Sequence, residues 1–243
     1  MADYSKLDHW SIKAQKEGYP ARSVYKLKEM DEKFGLVKTG RSSFKVLDLG
    51  AAPGSWSLYV MRKLFAGKDG RTGGGAAIRE IPPQPQLNTC IDVTLNAESN
   101  FVSIDLAPLS RQYDKGLFDR PDFFFLQRDF TRSDVREEIL ARGPYNLIMS
   151  DAAPATTGNR SVDTLRSLDL AETALGYAET ALVKGGNLVI KVFQGGDTGA
   201  LLKTLRGLFE SGKSFKPQAS RAESFETYYL GLGKSSSFTL EKG

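Results

Sequence analysis

Cysteine and histidine are almost missing from this chain: 243 residues contain one of each, Cys90 and His9. A lone cysteine excludes an internal disulfide, and one cysteine with one histidine cannot build the usual zinc clusters. A metal-independent protein of a reducing compartment, the cytoplasm, is therefore expected. Long apolar runs are also missing, since none approaches the roughly 20 residues of a membrane span. The start MADYSKLDHW is neither a signal peptide nor an acid-poor transit sequence, so no membrane association is expected. The spacing G-x-G-x-x-G is absent too, which weakens any dinucleotide-binding reading.

A hydrophobic content of 40% over 243 residues is enough to bury a full core. One domain spanning 1–243 is expected, with a basic helical extension over about 1–40 and a Gly/Pro-rich insertion over about 67–99. The insertion has no sustained period, and long loops of this kind are either functional or disordered. The net charge of +4 is localised: residues 1–45 hold ten Lys or Arg against six Asp or Glu, which leaves 23 against 23 elsewhere. A second basic cluster, Lys203, Arg206, Lys213, Lys216 and Arg221, is opposed locally only by Glu210. Two such patches serve either solubility or the grip of a polyanion.

Val24, Leu27, Met30 and Phe34 fall at helical spacing within 20–34, with Pro20 near the start and Gly35 as a stop. Apolar segments then alternate with helical ones: FKVLDL, a helix over 55–65, NFVSIDL, DFFFLQ, a helix near 133–141, YNLIMSD, a helix over 163–183, and NLVIKVF. Strands apolar on both faces and separated by helices predict a parallel sheet covered on both sides. After a helix over about 197–210 come KSFKP and FETYYLGLG, joined by a link too short for a parallel crossover, so the last strand should run antiparallel. The expected fold class is α/β, a Rossmann-like methyltransferase sheet of seven strands with an antiparallel seventh.

VLDLGAAPGSWS, residues 46–57, reads as strand, tight turn and helix start. Its glycines allow close approach to a ligand, and Ser55 and Ser57 could offer hydroxyls to the first free N–H groups of the helix. Asp105, Asp129 and Asp151 each follow an apolar run, at the carboxyl ends of predicted strands where open sheets bind ligands. An acid after the second strand suits a ribose diol and one after the third an adenine amino group, so the set points to an adenosine-bearing cofactor. Lys191 stands in a strand apolar on both faces, where an unpartnered ammonium would cost several kcal/mol. In the methyltransferase strand order its neighbours carry Asp151 and Glu226, giving either a structural ion pair or a catalytic set.

These segments, VLDLGAAPGSWS, IDLAP, LQRDF, LIMSDAAP, LVIKVFQG and SRAESFETYYLG in that order, resemble the FtsJ/RrmJ-type ribosomal RNA 2′-O-ribose methyltransferases over nearly the whole chain except the insertion. The resemblance implies that RSVYKL contributes Lys26 to a catalytic tetrad of Lys26, Asp151, Lys191 and Glu226. It further implies an S-adenosylmethionine site formed by Gly50, Gly54, Trp56, Asp105 and Asp129, with Asp151 where cofactor and substrate meet. Ser55 departs from the pattern, since many relatives carry glycine there. The implied reaction moves a methyl group to a ribose 2′-hydroxyl, with S-adenosylhomocysteine as product and Lys191 acting as base or as the group that orients the hydroxyl oxygen.

The implied substrate is a uridine in the A-loop of large-subunit ribosomal RNA, within an assembling ribosomal particle. The enzyme is expected to act as a monomer. Relatives that modify tRNA or mRNA caps share the tetrad and remain alternatives. A dehydrogenase would give no reason for Lys191 and Glu226. A small-molecule O-methyltransferase would need an enclosed apolar acceptor pocket, and a non-catalytic ribosome-assembly factor should show a broken tetrad. SDAAP contains neither an Asn-Pro-Pro-aromatic motif for amine methylation nor a Pro-Cys motif for covalent pyrimidine methylation, which leaves an oxygen acceptor.

Overall fold

A computed structural model describes residues 8–39, 43–65, 101–195, 198–221 and 224–235. The insertion over 67–99, with Cys90, lies outside them. In chain order the elements are α1 (His9–Lys16), α2 (Val24–Phe34), β1 (Val46–Leu49), α3 (Ser55–Phe65), β2 (Phe101–Asp105), β3 (Phe123–Gln127), α4 (Ser133–Ala141), β4 (Tyr145–Ser150), α5 (Arg160–Ala181), β5 (Leu182–Phe193), α6 (Thr198–Leu208), β6 (Phe209–Phe215) and β7 (Glu226–Lys234). Among the described residues no helix is long and apolar enough to cross a membrane.

The strands form one sheet in the order β3-β2-β1-β4-β5-β7-β6. β1 pairs in parallel with both β2 and β4, and β5 continues the parallel set beside β4. β7 runs antiparallel to β5 and to β6. The order reverses at β1, so the crevice between β1 and β4 is the switch point where a ligand can enter the sheet rim.

Strand alternation sorts the core into two layers. Leu47, Leu49, Ile148 and Ile190 face α4, α5 and α6, against Val135, Ile139, Ala174 and Leu205. Val46, Leu147, Met149, Val189 and Tyr228 face the other way, against Leu27 and Met30 of α2 and Leu58 and Met61 of α3. The N-terminal segment is thus no loose appendage: Leu27 and Met30 are completely buried on the sheet.

Several boundaries differ from those the sequence predicts. α2 begins at Val24 rather than at Pro20, because residues 21–26 first form a turn in which Val24 donates to the Ala21 carbonyl. β5 starts at Leu182, five residues before the apolar run, passing through an irregular stretch where Gly185 has φ +72° and the pairing with β4 shifts register. α6 stops at Leu208, and β6 takes Phe209–Phe215 in place of KSFKP.

At the β6–β7 pairing, Gly231 lies flat beneath Phe209. A Cβ added there would stand 2.5 Å from a carbon of the Phe209 ring. Gly231→Ala is expected to lose about 1–3 kcal/mol through overpacking, measured by denaturant unfolding, with no change in the order of the remaining strands.

Candidate active site

β1 is followed by Gly50, whose φ of +74° favours glycine and whose missing Cβ would otherwise meet Ala152 at 2.7 Å. The turn passes close beneath the end of β4 and opens a cleft of about 560 Å³ at the switch point, within the size range of small-ligand sites. Gly50, Asp105, Asp129 and Asp151 all line it. The Asp105 carboxylate is pinned by backbone donors, accepting from the Ala52 N–H at 2.9 Å and the Ala107 N–H at 2.8 Å. Asp129 accepts from the N–H and hydroxyl of Thr131 through a single oxygen, Oδ1. These acids are held in place yet keep lone pairs for hydroxyl or amine donors.

Gly54 and Trp56 stand behind the cleft rather than on its wall. The space beside Gly54 is filled by Phe118, 3.1 Å from where a Cβ would sit. Trp56 is buried, donates its indole N–H to the Ser23 carbonyl at 2.9 Å and lies against the Tyr228 ring.

The two serines do not cap α3. Ser55 Oγ accepts from the Ala21 N–H at 2.8 Å and donates to the Ala21 carbonyl at 3.2 Å. Ser57 donates to Asp48 at 2.6 Å and meets the Ser103 hydroxyl at 2.9 Å. Ser55 and Trp56 therefore tie the glycine turn to the residues leading into α2, and Ser57 satisfies a buried acid beneath it.

Lys26, Asp151, Lys191 and Glu226 gather on the α2–α3 side of the rim. Strand parity accounts for three: Asp151 continues the face of Met149, Lys191 that of Val189, and Glu226 that of Tyr228. α2 lies over this face and lowers Lys26 onto it. Lys26 Nζ is 2.5 Å from Glu226 Oε1 and Lys191 Nζ is 3.1 Å from Asp151 Oδ1. Lys191 also donates to the Asp151 carbonyl. Both lysines are 9% exposed, so each ammonium is nearly removed from water and relies on its carboxylate.

Tyr228 is not marked out by the sequence motifs, yet it joins the two pairs. It lies opposite Lys191 in the β5–β7 register, donates its hydroxyl to Asp151 Oδ1 at 2.7 Å and passes its ring under Lys26 Nζ at 5.9 Å. Burial, with the charges of Asp151 and Glu226, pushes the Tyr228 phenol well above its ordinary range, so it remains a donor. Burial would raise the Asp151 carboxyl, but Lys191, Lys26 and the Tyr228 hydroxyl together hold it below its usual value. The one signal for Tyr228 in the sequence is its two-residue spacing from Glu226, which sets both on one face.

The two basic clusters adjoin on one edge of the molecule. Arg22 donates to the Ala219 carbonyl, Glu29 accepts from the Gln218 N–H at 2.8 Å, and Lys33 lies over the Phe215 ring at 4.4 Å.

The strand order with its antiparallel β7, together with a cleft at the β1–β4 switch point, defines the class of Rossmann-like methyltransferases. The sequence pattern of the FtsJ-like methyltransferases matches residues 19–234, and the chain belongs to that family. It is 44% identical over 229 residues to the ribosomal RNA large subunit methyltransferase E of Treponema denticola, covering 94% of this chain and 96% of that one. It is 43% identical over 228 residues to the protein of the same name from Nitratidesulfovibrio vulgaris, covering 93% and 94% of the two chains. A crystal structure of a Plasmodium falciparum protein described as a ribosomal RNA methyltransferase superposes with a TM-score of 0.60 at 22% identity, over 89% of this chain and 98% of that one, a likeness of fold.

Asp48, at the centre of β1, is wholly buried, and its Oδ1 has no hydrogen-bond partner among the described residues. Burial pushes its pKa up from 3.8 to about 7; the Ser57 hydroxyl opposes the rise, and Asp151 and Asp105 add to it. The folded protein thus holds this proton more tightly than the unfolded chain, and Asp48 withdraws stability as the pH climbs from about 4 to 7. Asp48→Asn keeps an acceptor for Ser57 without the titration. Measured by denaturant unfolding, the variant should gain on the wild type by a few kcal/mol between about pH 5 and pH 8. A difference constant over that interval would contradict the assignment.

Proposed function

We propose that the chain is a single-domain, S-adenosylmethionine-dependent RNA methyltransferase that modifies a ribose 2′-hydroxyl and releases S-adenosylhomocysteine. The observation that carries the reading is the meeting of two buried lysines with two carboxylates at the edge of the cleft, where Asp151 belongs to both cleft and tetrad. S-adenosylmethionine supplies, when bound, a methyl group on a positively charged sulfur that is already activated for transfer. The cleft's donor set fits it: Asp105 and Asp129 retain acceptor lone pairs for sugar hydroxyls and an adenine amino group, and the carboxylates favour a cation over a phosphate-bearing cofactor. Gly50 gives the backbone the close approach that such a ligand requires.

With the methyl group activated elsewhere, the protein's own tasks are to align an oxygen and remove a weakly acidic proton. Lys191, in its neutral amine form, holds the ribose oxygen at the cleft edge and takes its proton, becoming the ammonium that Asp151 balances. Lys26 is the second amine on that oxygen. Glu226 and Asp151 hold the two amines against the apolar sheet, while Tyr228 fixes the Asp151 carboxylate as a positioning residue. Gly54 and Trp56 act at one remove, by shaping the turn and anchoring α2.

The substrate we propose is large-subunit ribosomal RNA, at a uridine of the A-loop within an assembling ribosomal particle. Relatives above 40% identity over almost the whole chain are named for ribosomal RNA of the large subunit, and the adjoining basic clusters suit phosphate contacts. The enzyme is proposed to act in the cytoplasm as a monomer.

Transfer of tritiated methyl groups to large-subunit ribosomal RNA, both free and within immature large subunits, followed with purified protein, tests the reading. Wild-type protein should label the RNA. Lys191→Ala should lose at least about 100-fold in kcat, the scale of a positioned proton acceptor, and should still bind S-adenosylmethionine by calorimetry. Near-normal turnover by a folded Lys191→Ala protein would refute the role given to Lys191.

A further inference from the structure

Beyond the tetrad, the carboxyl rim carries an aromatic pair that the proposed reaction leaves unused. Phe193 is the last residue of β5, two beyond Lys191 and on the same side of that strand, with its backbone opposite Glu226. Phe225 stands immediately before Glu226, and its ring meets that of Phe193 edge to face, with centroids 4.6 Å apart. Arg160, the first residue of α5, holds its guanidinium over the Phe225 ring at 5.2 Å. Hydrogen bonds tie the backbone of the pair in place: the Gln194 N–H donates to the Phe225 carbonyl at 2.7 Å, and the Phe193 N–H donates to Ser167 Oγ at 3.0 Å.

Phe193 is buried, Phe225 half-buried and Arg160 exposed, so the set has a packed base and an open side. A ring left half in water gains less from burial than it would in the core. Its cationic neighbour is the Arg160 guanidinium, and the tetrad residue Glu226 follows it directly in the chain. A flat apolar face beside a cation matches the way unpaired bases of RNA are held, by stacking on aromatic rings and guanidinium planes.

We propose that Phe225, backed by Phe193 and flanked by Arg160, is a stacking shelf for an unpaired nucleobase of the RNA whose ribose enters the tetrad. This rests on the RNA methyltransferase reading above. The shelf begins one pleat, about 6.6 Å, beyond Lys191. The base that reaches it therefore belongs to the reacting nucleotide or its immediate neighbour. A duplex keeps such bases stacked within itself, so the shelf selects looped over paired RNA.

Steady-state methylation of immature large ribosomal subunits, with the target in the A-loop of their RNA, tests this. Phe225→Leu keeps an apolar contact with Phe193 but loses the π face, and should raise KM for RNA about tenfold while leaving kcat within about twofold and cofactor affinity unchanged. Phe225→Trp should restore KM to near the wild-type value. A wild-type KM for Phe225→Leu, or a Phe225→Trp protein equally impaired though folded and able to bind cofactor, would overturn the shelf. If the wild-type protein transfers no methyl group to RNA, free or within immature large subunits, the functional reading falls by itself. The shelf is then decided by anisotropy with a fluorescent single-stranded oligonucleotide: weaker binding by Phe225→Leu supports it, and equal binding removes it.

Discussion

Two ammonium groups sit at the rim of an apolar sheet, and two carboxylates keep them there. Lys191 rises from the buried half of its strand, so its charge is tolerable only because Asp151 approaches from the end of the adjacent strand. Lys26 arrives from a helix that would otherwise be a cover for the sheet, and Glu226 receives it at the first residue of the antiparallel strand. The reversal of β7 is what brings that residue to the rim where the parallel strands end. Loss of one partner would strand a charge among apolar groups, which makes the geometry of the tetrad a condition of the local fold as well as of the chemistry.

The same constraint explains why the N-terminal helices are built into the domain. α2 must hold Lys26 at a fixed height, and the contacts that fix it come from the glycine turn and α3. Ser55 grips Ala21 through both backbone groups, Trp56 takes the Ser23 carbonyl, and Tyr59 donates to Asp31 at 2.7 Å. The glycine turn at the cleft and Lys26 are thus one mechanical unit. Ser55 adds two of its hydrogen bonds. Arg22 and Glu29 carry the linkage across to the segment after β6, so the basic face is braced by the helix that supplies Lys26.

Much of this is legible in the amino-acid order, and the reasons are physical. Strands covered on both faces must be apolar throughout, so FVSID, NLIMS and NLVIKVF stand out, and a lysine inside the last of them demands an acid. Glycine at Gly50 is dictated by a backbone conformation and a close approach, which a spacing pattern records. α1 is hard to see because it is short and mostly polar; its start is marked only by Asp8, which accepts from the Ser11 N–H. The first part of β6 is hidden because an edge strand with one wet face tolerates the glycine and charges of FESGKSF. The roles of Ser55, Ser57 and Tyr228 depend on partners far along the chain, at Ala21, Asp48 and Asp151, and no local pattern encodes such pairings.

The central claim is that this arrangement delivers a methyl group to a sugar oxygen and not to a base. Methylation of a 2′-oxygen removes the nucleophile by which alkali cleaves the adjoining phosphodiester. Large-subunit ribosomal RNA labelled by the protein should therefore release its tritium, after complete alkaline hydrolysis, in dinucleotides that resist cleavage. Tritium recovered in mononucleotides would place the methyl group on a base and contradict the account.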